Sequence, residues 1–270
     1  MKLGLSCMQT IYQSGNKLAL AVTLEDNIGV KKSGRVYIDD FCVLHNIPLE
    51  KCKNINDEII IQFISEQNLD WLFIIGWSQI AHSELLKLPK LGVLGIHPTL
   101  LPIGRGRAAI PWAILKGLDE TGVTLFKLDN GVDTGPIVLQ QKIPLSDSTT
   151  ATELYKLVNR AHIDLIKIAM PLITLNNVTM TIQDEKKASV WGERTPEDGI
   201  IDLQESIYNV ERLIRSLTKP YPGAYIKSNG KKVIIWKAQI KLHQPQENEK
   251  YIRFKDGWLI LLKYEEIQNI

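Results

Sequence analysis

Apolar positions along this chain fall into two kinds of run: short continuous blocks, and longer stretches in which they recur at helical spacing. The continuous blocks Leu18–Leu24, Trp71–Trp77 and Gly92–Ile96, with the β-rich Gly122–Leu128 and Ile137–Ile143, predict strands. Trp71–Trp77 is apolar throughout, the pattern of a strand buried on both faces of a parallel sheet. Between the blocks, Leu5–Ser14 reads as a helix stopped at Gly15-Asn16. The polar stretch Glu25–Asp40 reads as a surface loop leading into a short helix, and Ile47-Pro48-Leu49 as the start of a further short strand. Ile59, Ile60, Phe63 and Ile64 mark a helix capped near Asp57 and running to about Gln67. Ala108–Lys116 forms a helix that tolerates Pro111 in its first turn and stops at Gly117. Ser148–Asn176 is a long amphipathic helix region with Leu154, Leu157, Ile163, Leu165, Ile166 and Ala169 on its apolar side. Strands alternating with helices predict a Rossmann-like α/β fold, doubly wound around a mostly parallel sheet.

From about residue 178 the pattern changes. Thr179–Gln183 reads as a strand, and Ile201–Leu217 as a helix with Ile207, Val210, Leu213 and Ile214 turned inward. Lys231–Leu242 and Tyr251–Tyr264 read as antiparallel strands, and Lys255-Asp256-Gly257 is a strong hairpin signal. Two domains follow, residues 1–177 and a helix plus small β-rich region over 178–270.

Composition narrows the picture. A chain of 270 residues with 44% hydrophobic and 23% charged content is long enough for a sizeable core. A formal charge of +2 does not favour nucleic-acid binding by bulk charge. Cys7, Cys42 and Cys52 have neither zinc-ligand nor redox spacing, and an odd count is a poor disulfide framework. No apolar run reaches the roughly 18–20 residues that span a bilayer, and the apolar part of Met1–Cys7 is too short for a lipoprotein signal. The expectation is a cytoplasmic protein with no membrane partner.

The candidate chemistry lies between Gly95 and Gly135. His97 ends the Gly92–Ile96 run and is followed by Pro98, which cannot continue a ladder. Asp133 follows the Gly122–Leu128 run on its own loop. Ligands of open α/β sheets bind at such strand ends, so a histidine and a carboxylate are expected to converge there. An imidazole can take or give a proton near neutral pH, and a carboxylate beside it can orient it or stabilise its cation. The Asp129-x-Gly131-x-Asp133 run lacks the downstream glutamate of a calcium-binding hand, and no metal is expected. Gly104–Ala109 imitates a dinucleotide fingerprint but follows Leu-Leu-Pro rather than a strand.

Several blocks in order resemble the formyltransferase family that uses 10-formyltetrahydrofolate. They are His97-Pro98-Thr99-Leu100-Leu101-Pro102, Arg105-Gly106, Pro111–Ile114, Thr121–Thr124 and Asp129-x-Gly131-x-Asp133-x-Gly135. The resemblance covers about residues 70–165 closely and both flanks loosely. It implies an enzyme that transfers a formyl group to an amine, with 10-formyltetrahydrofolate as co-substrate. It implies His97 and Asp133 as catalytic residues. Gly76, Trp77, Leu101, Pro102 and Gly131 would lie on the folate side, and Thr99, Arg105 and Arg194 on the substrate side. Two departures stand out. The family carries an asparagine two residues before the histidine, helping to hold the formyl oxygen, and here that residue is Gly95. Loss of one such donor typically costs about 10²–10³ in rate. The family's first strand is also missing or shortened, and the expectation is a late start of the chain rather than a lost strand.

The Arg-bearing helix followed by Pro220-Tyr221-Pro222-Gly223-Ala224 resembles the sugar-directed members. The short tail after Ala224 and its mixed charges fit a tRNA-binding barrel less well. The resemblance therefore implies an amino sugar linked to a nucleotide as acceptor, for surface polysaccharide synthesis, and a homodimer. Methionyl-tRNA formyltransferase, or a catalytically impaired relative that binds folate or sugar nucleotide, are the alternatives.

Overall fold

The computed structural model describes residues 2–29, 35–228 and 230–268. In chain order the elements are α1 (Lys2–Gln13), β1 (Ala21–Leu24), α2 (Asp26–Gly29), α3 (Asp39–Leu44), β2 (Leu49–Cys52), α4 (Glu58–Ser65), β3 (Trp71–Ile75), α5 (Ser83–Leu86), β4 (Gly92–His97) and β5 (Arg105–Gly106). They continue with α6 (Ala109–Leu115), β6 (Glu120–Lys127), β7 (Ile137–Pro144), α7 (Ala151–Thr174), β8 (Val190–Trp191), α8 (Ile207–Ser216), β9 (Ala224–Ser228), β10 (Lys231–Lys241), β11 (Tyr251–Phe254) and β12 (Gly257–Gln268). Single turns of 3₁₀-helix cover Glu185–Lys187 and Pro196–Gly199.

These elements pack as two compact units, each discontinuous in sequence. One holds the chain up to Gly106 with Thr121–Ile143 and Leu157–Val190; the other holds Arg107–Glu120, Pro144–Lys156 and everything from Trp191. Helix α7 runs from one unit into the other.

The first unit carries the α/β sheet. Strand β4 is buried along its whole length, pairs parallel with β3 and antiparallel with β6, and the sheet order is β3-β4-β6-β7. Strands β1 and β2 pair parallel in a separate two-stranded sheet. The fold class is therefore α/β as expected, with mixed rather than mostly parallel pairing. The chain opens on α1, which buries Leu3, Cys7, Thr10 and Ile11 at helical spacing. No strand among the described residues joins β1 to β3. Both nevertheless pack on one apolar cluster of Cys52, Ile55, Ile60, Ile64 and Leu85, to which β1 adds Val22 and β3 adds Leu72 and Ile74.

Two expectations are corrected. Strand β3 is only half-buried along its length, because it lies at the end of its sheet, where β4 alone pairs with it among the described residues. Thr179–Gln183 is not a strand: a single bridge, Ile137 to Thr181, is all that forms there. Gln183 is instead drawn into side-chain bonding at the site below.

The second unit is an antiparallel sheet in the order β11-β12-β10-β9 with α8 packed on it. Ile207, Val210 and Ile214 of α8 meet Ile235, Leu259 and Leu261 in its core. Helix α8 is capped by its own Ser206, whose hydroxyl donates to Asp256 of the predicted hairpin turn while the Ile207 N–H also donates to that carboxylate.

Candidate active site

His97 is the last residue of β4 and sits opposite Thr124 of β6. The Thr124 hydroxyl donates to the Thr99 carbonyl at 2.7 Å and accepts from the Leu101 N–H at 3.1 Å and the Gln140 amide at 2.8 Å. One buried hydroxyl thus fixes the first residues after the strand. The His97 ring is nearly buried, with Nε2 2.8 Å from the Gly104 carbonyl oxygen and Nδ1 3.5 Å from Asp133 Oδ2. Both ring nitrogens face oxygen acceptors, so a neutral ring, with one N–H, serves one of them at a time.

Asp133 reaches His97 because its loop is tightly folded. Asp129 accepts from the Gly131 N–H at 3.0 Å and the Thr134 hydroxyl at 2.6 Å. Gly135 cannot be replaced without a clash, since a Cβ there would meet the Lys127 carbonyl oxygen. Asp133 itself adopts φ +56°, a left-handed conformation that non-glycine residues keep only where surroundings hold them. Its Oδ2 also accepts from the Gly106 N–H at 2.8 Å. The carbonyl of Gly104 and the amide of Gly106 therefore contact the two members of the pair, with Arg105 between them.

The Arg105 guanidinium has protein partners on two sides. It is buried, makes a two-pronged bond to Glu185 at 2.9 and 2.6 Å, and donates to Gln183 Oε1 at 3.1 and 2.8 Å. Hydrogen bonding to Arg105 holds the Glu185 carboxyl below the usual carboxylate range. The sequence reading placed Arg105 on a substrate; here four of its five N–H donors are bonded within the protein.

Thr99 is 1% exposed, and its hydroxyl has no hydrogen-bond partner among the described residues. Gly95 faces β6, where a Cβ would lie 2.8 Å from Leu128 Cδ2 and 3.3 Å from Phe126 Cε1. The space an asparagine side chain would need is thus filled by Leu128. Of the residues read as folate-side, Leu101 is buried, Pro102 is half-buried with its carbonyl accepting from Ser189, and Gly131 is exposed. Gly76 follows β3 at φ +68°, and the Trp77 indole donates to Gln79 at 3.0 Å while packing on the apolar cluster shared by β1 and β3.

Arg194 belongs to the second unit, donating to the Asp198 carbonyl at 2.9 Å with its guanidinium 5.1 Å over the Trp112 ring. Sequence reasoning missed Gln183 and Glu185. Their only signal was an arginine beside two glycines that had to be neutralised from somewhere, and the pattern around Gln183 imitated a strand.

Comparison with known proteins places the chain. The formyl transferase family matches residues 7–169, and the formyl transferase C-terminal domain matches residues 194–268. The chain is 33% identical over 238 residues to the bifunctional polymyxin resistance protein ArnA of Wigglesworthia glossinidia brevipalpis, covering 88% of this chain and 36% of that protein. It thus spans about a third of that relative's length. In fold it is similar to an N-formyltransferase from Helicobacter canadensis solved with folinic acid and dTDP-3-aminofucose, at TM-score 0.68 and 20% identity, covering 97% of this chain and 96% of that one. It is likewise similar to methionyl-tRNA formyltransferase from Clostridium thermocellum, at TM-score 0.62 and 19% identity, covering 93% and 99% of the two chains. With both regions of the family matched and a histidine–aspartate pair at the end of its buried strand, the chain belongs to the formyltransferase family.

Proposed function

We propose that this protein transfers the formyl group of 10-formyltetrahydrofolate to the amine of a nucleotide-linked amino sugar. The observation that carries the reading is the His97–Asp133 pair, held against the Gly104 carbonyl and the Gly106 amide at the end of β4. In acyl transfer of this kind the amine nitrogen bonds to the formyl carbon while the bond from that carbon to the folate nitrogen breaks. The amine must lose a proton and the folate nitrogen must gain one. His97 carries that proton, and Asp133 orients its ring and stabilises the cation. The folate would lie along Gly76, Trp77, Leu101, Pro102 and Gly131.

The amino sugar is favoured over tRNA by relatives and by charge, not by size. The Helicobacter canadensis enzyme was solved with an amino-sugar nucleotide, and the ArnA relative shares a third of its residues over the aligned stretch. The Clostridium thermocellum tRNA enzyme is matched over 99% of its chain, so the length of the tail does not separate the two substrates. The formal charge of +2 over the whole chain weighs against tRNA, because tRNA binding depends on phosphate contacts. In this reading the protein works in the cytoplasm as a homodimer and supplies formylated sugars for a surface polysaccharide. No helix among the described residues is long and apolar enough to cross a membrane.

The test is formyl transfer from 10-formyltetrahydrofolate to a panel of dTDP-, UDP- and GDP-linked amino sugars and to methionyl-tRNA, with His97→Ala beside the parent protein. Turnover of one amino-sugar nucleotide, reduced by about 10²–10⁴ in His97→Ala, is expected. Turnover of methionyl-tRNA alone overturns the sugar reading, and folate binding without any turnover overturns the enzyme reading.

A further inference from the structure

We infer that Gln183 is a positioning residue for the catalytic pair, a side-chain clamp that sets the distance between His97 and Asp133. The inference rests on the reading of that pair as catalytic. Gln183 is buried and its amide is saturated. Its two N–H groups donate to the Asp133 carbonyl at 2.8 Å and the Gly135 carbonyl at 2.7 Å. Its oxygen accepts from Arg105 Nε at 3.1 Å and Nη2 at 2.8 Å. A primary amide has two donors and two acceptor sites, and here all four are used.

The two ends of that clamp are the two halves of the site. Arg105 lies between Gly104, whose carbonyl meets His97, and Gly106, whose amide meets the Asp133 carboxylate. Asp133 and Gly135 are the loop that carries the carboxylate, and Asp133 sits there in a left-handed conformation. One side chain therefore joins the strand-end segment to the carboxylate loop without touching either catalytic side chain. Glu185 supports it from outside by fixing the same guanidinium in a two-pronged bond, the geometry that an arginine fork and a carboxylate favour. A glutamate at 183 would still accept from Arg105 but could donate nothing to the Asp133 loop. A leucine would do neither.

The experiment measures kcat and KM for the amino-sugar acceptor, and kcat against pH, in the parent, Gln183→Glu, Gln183→Leu and His97→Ala, with thermal unfolding of each. Because a misplacement near 1 Å costs about 10²-fold, Gln183→Glu is expected to lower kcat by about 10–100-fold. KM should move little, and the pH–rate profile should shift, since the carboxylate no longer sits at a fixed distance from the imidazole. Gln183→Leu should do the same if it folds; if it does not, Gln183→Glu alone decides. Parent-like kcat and pH profile in Gln183→Glu, beside an inactive His97→Ala, overturn the positioning role and leave the catalytic pair standing. Full turnover in His97→Ala overturns the catalytic pair, and the clamp's role with it.

Discussion

Gly95 and Leu128 between them decide what His97 has beside it. The β4–β6 register places Gly95 opposite Phe126, and the Leu128 side chain closes over the vacant Cβ position. A side chain restored at residue 95 therefore meets an apolar plug before it can meet a substrate. Gly95→Asn alone should destabilise by about 1–3 kcal/mol through overpacking and leave kcat where it was. Gly95→Asn with Leu128→Ala should open the space and raise kcat toward the roughly 10²–10³-fold that one oxyanion donor contributes. Steady-state rates of the parent, both single variants and the double variant check this. A full gain in Gly95→Asn alone would mean that Leu128 gives way freely and blocks nothing.

At the scale of an element, α7 carries a buried imidazole that is expected to make the fold sensitive to acid. His162 is 1% exposed, its Nδ1 bonds the Val158 carbonyl at 2.7 Å, and burial pushes it down to about 4. The charge of His97 adds to the lowering. In the unfolded chain the same ring takes a proton near 6.5. Between those values the unfolded state binds more protons than the folded one, so stability is present above about pH 6.5 and is lost as pH falls toward 4. At about one and a half units below the unfolded value, near pH 5, the loss is about 2 kcal/mol. Urea unfolding at pH 7.5 and pH 5 should show that difference in the parent, and His162→Leu should remove most of it. An unchanged pH dependence in His162→Leu would place the acid sensitivity elsewhere.

Across the molecule the main feature is that the parallel pairs β1-β2 and β3-β4 lie in two separate sheets. Alternate amides of a parallel strand point to opposite sides, and among the described residues β3 has a ladder partner on one side only. The same holds for β1 beside β2. Val22, Leu72 and Ile74 share burial on one cluster, which holds the two sheets together with no ladder between them among the described residues. Native-state hydrogen exchange should therefore find alternate amides of β1 and β3 exchanging much faster than the amides of β4, which is buried and paired on both sides. Uniform protection across β1, β3 and β4 would show that the outer edges are covered.

Some of this was legible in the residues themselves. Continuous apolar runs located β1, β3, β4 and β6, helical spacing located α4, α6, α7 and α8, and Lys255-Asp256-Gly257 located the turn before β12. These signals are local: periodicity reports which face is buried, and turn residues report where the chain must reverse. His97 and Asp133 were legible too, because each follows a strand-forming run and their spacing matches a family pattern. Residue 183 shows the limit. Nothing local distinguishes a glutamine that clamps two loops from one in a strand, since its partners at 105, 133 and 135 are brought to it only by folding. The same is true of Arg105, whose charge was visible but whose partner, Glu185, was not. The order of residues determined most of the elements and pointed to the His97–Asp133 pair that is proposed to react. The tertiary structure decided which polar groups hold that pair in place, because a buried hydrogen bond between distant residues leaves no periodic trace in sequence.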